Sequence, residues 1–475
     1  MHTDFIFLTK ILYEEKKNEQ RADEKIGLVN IIGLGVGGAI GSGIFVTLGS
    51  AIGMTGRSVL VVTLIGVFYM LFAYWYNLAL SSIFVVNGGD YSMRGMMLPP
   101  VLTGYGGWTN VMWAFGITGY SLALTSYLSS LWPVLGEHTS ITSMVILTVH
   151  FLLTIRGNRI VTIFQNTATA FLLIALFLFI VLGVPHVDPA FFFSPAADGG
   201  FFHGGMSGVI SAIAIMGFAC QGTTMGPVGV ARITKNPKLT IPLGILVTCA
   251  VVSVVYGLMS YVAAGVLPYD KVANQNLSVV ASAFLNPVLF AFFIIGGGAC
   301  AIVSSFLGVL VMIREPLASM ADDGWLTGFF GRKAKDGYPY GAFTLVYILA
   351  AIPILTGMDF NNVISMLMIP CMFINAYLNT ACIKIPEKYP EQFARRSIRC
   401  PLWLYKLCCI LGGISALLVG ITLLKDMALK DAIVAVIVLV VPLALSWRSL
   451  KVGNVDRRIL EERKEEIIRA ETLNG

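Results

Sequence analysis

The stretch Gly37-Gly38-Ala39-Ile40-Gly41-Ser42-Gly43-Ile44-Phe45 interrupts the first long apolar run of the chain, from about Gly27 to Gly53. That run is long enough to cross a bilayer as a helix. Glycine recurs at 37, 38, 41 and 43 in its middle, and each glycine weakens a helix by roughly 1 kcal/mol relative to alanine. Backbone N–H and C=O groups freed within lipid are tolerated only where they line a cavity or bind something. The stretch predicts a broken membrane helix with a binding site for a small polar molecule near the midplane.

The rest of the composition agrees with a membrane setting. Of 475 residues, 56% are hydrophobic and 12% charged, against about 25% charged in soluble domains. The short apolar piece Phe5–Leu12 is followed by a charged stretch, Glu14 to Lys25, which does not read as a signal peptide. Residues 1–26 read as a cytoplasmic tail. None of the eight cysteines pairs at metal-ligand spacing in a loop, so neither a disulfide nor a zinc site is expected. The net charge of +6 suits cytoplasmic loops and gives no indication of nucleic acid.

Hydrophobic runs predict twelve spans: 27–53, 58–86, 108–133, 139–155, 160–184, 205–231, 241–267, 287–313, 340–357, 361–383, 402–424 and 431–447. With the N-terminus inside, 28 of the 32 Lys and Arg fall on the cytoplasmic side; only Arg57, Lys271, Lys425 and Lys430 fall outside. Both termini, including the tail 448–475, are then expected in the cytoplasm.

A second glycine-rich interruption lies in span six, Gly217-Phe218-Ala219-Cys220-Gln221-Gly222-Thr223-Thr224-Met225-Gly226-Pro227. Spans one and six enter the membrane from opposite sides. Paired interrupted helices in two inverted halves are the sequence pointer to a transporter's substrate site. The halves are expected at 27–184 and 205–383, with 402–447 appended. No Asp, Glu, Lys or Arg lies in the interior of a span, and His150 is the one ordinary ionisable residue within one. That absence favours a substrate without net charge.

Plainer readings compete at each motif. Gly33-Leu34-Gly35-Val36-Gly37-Gly38 matches a dinucleotide-binding pattern, but no strand precedes it and the next acid is Asp90. A serine nucleophile at Ser42 has no base placed to activate it. Glycines at 33, 37 and 41 could serve helix packing. A ligand site explains more: exposed N–H groups at a half-helix start attract a carboxylate, and carbonyls at the end of the preceding half attract an ammonium. Ser304 and Ser305 in span eight could lend hydroxyls to a sodium ion or bond their own backbone.

Four elements in order resemble the amino acid–polyamine–organocation transporters. They are Ile40-Gly41-Ser42-Gly43-Ile44-Phe45, Asn87-Gly88-Gly89-Asp90-Tyr91, Lys235-Asn236-Pro237 with Ile241-Pro242, and Arg314…Ala318-Ser319-Met320-Ala321-Asp322-Asp323-Gly324. The last departs from the family pattern at Glu315-Pro316 and in carrying a second Asp. The resemblance implies an all-α, five-plus-five inverted-repeat (LeuT-like) fold with two extra helices, working by alternating access. It implies a carboxylate held by amides around Ile40, Gly41, Ser42 and Gly43, and an amine held by carbonyls near Ala39, Phe218 and Gln221. Phe218 falls where the family places an aromatic gate. Gly222 and Thr223 would floor the side-chain pocket, with Gly116, Gly119 and Tyr120 of helix three nearby.

Two departures narrow the expectation. Span five lacks the lysine of proton-coupled members, and the connection Pro133 to Thr139 lacks the cysteine that bonds a heavy chain. The expected protein is a cell-membrane carrier of a neutral amino acid, not an enzyme, working by exchange first and sodium symport second. It would sit in lipid as a monomer or homodimer and need no cofactor beyond a possible Na⁺.

Overall fold

Gly41 cuts the first apolar run into two short helices, α1 (Leu28–Ile40) and α2 (Ser42–Thr55). The computed structural model describes residues 25–86, 89–155, 158–193 and 200–473. The N-terminal tail through residue 24, and Asn87, Gly88 and Arg156, lie outside the described residues. After a 3-10 turn at Gly56–Ser58 the chain continues as α3 (Val59–Ala73) and α4 (Trp75–Ser81). Then follow α5 (Gly89–Gly95), α6 (Pro100–Val111), α7 (Trp113–Ser129), α8 (Thr139–Ile155) and α9 (Asn158–Gly183).

The second half opens with α10 (Gly205–Cys220) and α11 (Gly222–Gly229), then α12 (Pro237–Gly265). Predicted span eight is built of Pro287–Phe292, a π-helical turn Phe293–Ala299, and α13 (Cys300–Met312). The chain ends with α14 (Arg314–Asp322), α15 (Tyr340–Thr356), α16 (Phe360–Ala381), α17 (Leu402–Lys425), α18 (Leu429–Val452) and α19 (Arg457–Leu473).

The described residues form no strand beyond one isolated bridge, Ile26 with Thr234. Eight helical stretches among them are long and apolar enough to cross a membrane, and three shorter apolar helices accompany them. The chain is therefore an all-α, multi-pass membrane protein. Helix length accounts for part of the difference from twelve: Leu28–Ile40, Thr139–Thr154 and Tyr340–Thr356, in the first, fourth and ninth predicted spans, are shorter than 18 residues. Span three also begins earlier than its predicted start at 108. Pro100 at the first helical position opens α6, so the glycine-rich Thr103–Gly107 is helix and not loop.

Packing pairs the halves of the broken spans. α1 lies against α11 and α12, α2 against α10, and α3 against α12. α18 is the outermost long helix, with Ile433, Ile437, Val440 and Trp447 exposed, as a lipid-facing surface requires.

On the side bearing α19, polar bonds knit three segments together. Arg463 forks the Asp323 carboxylate with two bonds of 2.8 Å. The Tyr91 hydroxyl donates to the same carboxylate at 2.5 Å and accepts from Trp325 Nε1 at 2.8 Å. Burial, and next the Asp323 charge, hold the Tyr91 phenol well above its ordinary range. Asp323 is thus the anchor of the C-terminal helix.

Candidate functional site

The two breaks differ in depth. At Gly41 the backbone leaves the helix altogether, with φ −53° and ψ −129°. At Gln221 it keeps helical angles, φ −57° and ψ −40°, and the Thr224 and Met225 N–H groups both donate to Gln221 O. Span six is therefore interrupted for one residue and stays helical through the rest of the glycine-rich stretch Gly217–Pro227. Pro227 lies inside α11 and withholds one further backbone donor.

The breaks meet through glycine. A Cβ on Gly222 would land on the Gly38 carbonyl and 2.5 Å from Ala39 N. A Cβ on Gly43 would stand 2.5 Å from Ala219 Cα. Gly33 and Gly37, by contrast, meet nothing within 4 Å, so close packing does not explain them.

Three backbone groups at the breaks are covered by hydroxyls from other helices. The Ser42 N–H, at the start of α2, donates to Ser305 Oγ at 2.9 Å. A Cβ at Gly41 would strike that same hydroxyl and lie 3.1 Å from Gly37 O. The Tyr256 hydroxyl of α12 lies 2.5 Å from Ala39 O and 3.1 Å from Ala219 O. It thereby bridges the last turns of α1 and α10. Tyr256 was not among the candidates read from sequence, because a tyrosine in an apolar run carries no signal of which carbonyl it meets. Thr47 donates to Gly43 O at 2.9 Å and reaches Met216 Sδ at 3.1 Å.

Aromatic rings close one side. The Tyr120 ring lies 5.6 Å from Phe218 and 6.1 Å from Phe306. His150 stacks flat on Phe306 at 4.2 Å, with Nδ1 held by Ile146 O at 2.7 Å. Gly116 and Gly119 face away from the breaks: their missing side chains make room for Leu367, and for Ile364 and Phe360, of α16. Helix three thus delivers Tyr120 to the site and its glycines to packing. Ile40 and Thr223 are buried beside the breaks, and Thr223 Oγ1 bonds Cys220 O at 2.7 Å.

The two ends of the site differ in cover. Beyond α2, Asn274 N donates to Gly49 O at 2.9 Å, Tyr269 Oη donates to Gly53 O at 2.7 Å, and buried Arg57 holds Phe192 O at 2.9 Å. Toward the N-terminus, Asn30, Gly33, Leu34 and Gly38 of α1 are exposed, and Ser304 and Ser305 are half-buried. Among the described residues no group of three His, Cys, Asp or Glu is placed to hold a metal. The hydroxyl and carbonyl oxygens at Gly41 are the groups that could meet a sodium ion.

The family described as amino acid permease matches residues 26–443. Similar proteins include a methylthioribose transporter of Bacillus subtilis, 26% identical over 269 residues, or 53% of this chain and 57% of the relative. A histidine permease of Lactococcus lactis is 27% identical over 232 residues, 46% of each chain. A vacuolar cationic amino acid transporter of Arabidopsis thaliana is 28% identical over 154 residues, 32% of this chain and 25% of the relative. The match to the first of these spans just over half of its length. With its interrupted first and sixth apolar runs in contact, the chain belongs to the amino acid permease family.

Proposed function

We propose that this protein is a secondary active transporter that moves a neutral amino acid, or a close analogue, across the cell membrane by alternating access. The observation that carries the reading is the meeting of the two breaks at Gly38 and Gly222. Donors at the α2 start and acceptors at the α1 and α10 ends converge there, and no span interior holds an Asp, Glu, Lys or Arg. A zwitterion satisfies both ends: its carboxylate takes the place of Ser305 on Ser42 N–H, and its ammonium takes the place of the Tyr256 hydroxyl on Ala39 O.

The twelve-span, five-plus-five arrangement with both termini in the cytoplasm belongs to this proposal. On that orientation the bonds around Gly49, Gly53 and Arg57 seal the outer side, and the exposed face of α1 opens the inner one. Exchange is the first choice for coupling, because no span interior carries an Asp, Glu, Lys or Arg. Sodium symport is the second reading, favoured by the Ser305 hydroxyl lying beside Gly41 and the Gly37 carbonyl.

Purified protein in proteoliposomes tests both. Saturable uptake of a neutral amino acid is expected, stimulated by the same solute inside and unchanged by a sodium gradient. Flux that does not saturate would point to a channel and refute the carrier.

A further inference from the structure

Gln221 marks the interruption of span six, and its side chain is 3% exposed. Its amide is poorly satisfied by the protein. Nε2 reaches Met368 Sδ at 3.1 Å, and a thioether is a weak acceptor. Oε1 has no partner at all. Asn379, equally buried on α16, shows the usual arrangement: its Oδ1 accepts from Tyr76 N at 2.8 Å, and its Nδ2 donates to Ala73 O at 3.0 Å.

A buried polar group without a partner costs about 1–3 kcal/mol, and a shape-matched apolar residue would avoid that cost. Such groups in folded proteins call for a water, an ion or a ligand. The place of this one favours a ligand. Gln221 is three residues from Phe218 and so shares its helical face, and it precedes Gly222, the contact point with Gly38. Met70 and Met368 close on Gly217 one turn away, with Cε atoms 2.9 and 3.0 Å from a Cβ there, and thioether chains adapt to varied shapes. A second unpaired acceptor, Asn77 Oδ1, lies one turn along α11, where Asn77 Nδ2 reaches Thr224 Oγ1 at 3.4 Å.

We propose that Gln221 is a specificity-determining residue of this site, selecting uncharged solutes whose side chain carries a hydroxyl or a carboxamide. The inference rests on the transport reading above, in which backbone groups hold the carboxylate and the ammonium. Gln221 then faces what distinguishes one amino acid from another. A hydroxyl or carboxamide donates to Oε1 and offers Nε2 a better acceptor than sulfur. An apolar side chain leaves Oε1 buried and bare, and sites built to bond a substrate hydroxyl discriminate strongly against its absence. A charged side chain meets no opposite charge.

Near-isosteric pairs test this in proteoliposomes of the full chain: threonine against valine, serine against 2-aminobutyrate, asparagine against leucine. Wild type should favour the polar member by about tenfold or more in kcat/KM. Gln221→Leu should bring each ratio to about one by losing the polar member while keeping valine uptake. Gln221→Met replaces it if the leucine variant does not fold. A wild-type ratio near one, or ratios unmoved by either variant, overturns the inference and leaves the transport reading intact. Absence of uptake of any amino acid overturns both.

Discussion

A single methyl group at Gly43 separates spacing from flexibility as the role of the glycine break. In Gly43→Ala the new carbon would stand 2.5 Å from Ala219 Cα and 2.7 Å from its Cβ. A backbone carbon cannot rotate out of the way. Ordinary contact begins at 3.4 Å, so α2 and α10 must part by about 0.9 Å, the difference between 3.4 and 2.5 Å. Ala gains roughly 1 kcal/mol of helix propensity, and overpacking costs about 1–3 kcal/mol. The fold should therefore lose no more than ~2 kcal/mol. The site should lose more. Ser42 N–H lies 2.9 Å from its acceptor, and a shift of that size along the bond takes it out of range. Losing a bond to a charged group costs about 1.5–3 kcal/mol, so kcat/KM for the best amino acid should fall about 10- to 100-fold. Gly33→Ala is the control, because nothing lies within 4 Å of its Cβ. It should melt at the same temperature or higher and transport within about twofold of wild type. Initial uptake rates and melting curves of both variants decide the matter. Wild-type transport by Gly43→Ala, or an equal loss in Gly33→Ala, would refute the spacing argument.

Three further outcomes are expected. Tyr256→Phe removes the hydroxyl from the Ala39 and Ala219 carbonyls and should destabilise the empty protein by about 1–3 kcal/mol, while the thermal stabilisation on adding substrate grows; an unchanged substrate shift would mean that those carbonyls do not meet the amine. Ser305→Ala frees Ser42 N–H and should lower KM several-fold with no change in sodium dependence; loss of a sodium requirement on the same substitution would favour symport. Arg463→Ala leaves the buried Asp323 carboxylate without its fork and should cost about 1.5–3 kcal/mol, read as a lower melting temperature, with Asp323→Asn in the same background restoring part of it.

Much of this was legible in the sequence because lipid enforces it. Long apolar runs must be helices, and helix lies over each predicted run; it also extends beyond them, as where Thr103–Gly107, rich in glycine, is helical behind Pro100. The contact of the two breaks was legible as well, since glycine content marks where backbones approach. What was not legible depends on rotation about each helix axis. Gly116 and Gly119 differ from Tyr120 by one to four residues, yet they face α16 while the Tyr120 ring faces Phe218 and Phe306. The π-helical turn at Phe293–Ala299 adds a residue to one turn and resets which face carries Ser305. The depth of the second break was hidden too. Gly222 supplies close approach to Gly38 rather than an unwound backbone.

The two hydroxyls at the breaks connect these findings to emptying. A carrier must release its substrate and return, and a bare unwound backbone in lipid costs several kcal/mol per group. Ser305 and Tyr256 remove that cost by giving the α2 donor and the α1 and α10 acceptors partners of the same kind a zwitterion would offer. Binding on the proposed reading is then an exchange of partners, in which a neutral hydrogen bond is replaced by a charge-assisted one of roughly twice the strength. The net gain per end is the difference between the two and not the whole bond. A site built this way holds its solute loosely enough to let it go. Selectivity must then come from a group that has no internal substitute, and among the side chains at the two breaks the Gln221 amide carbonyl is in that position.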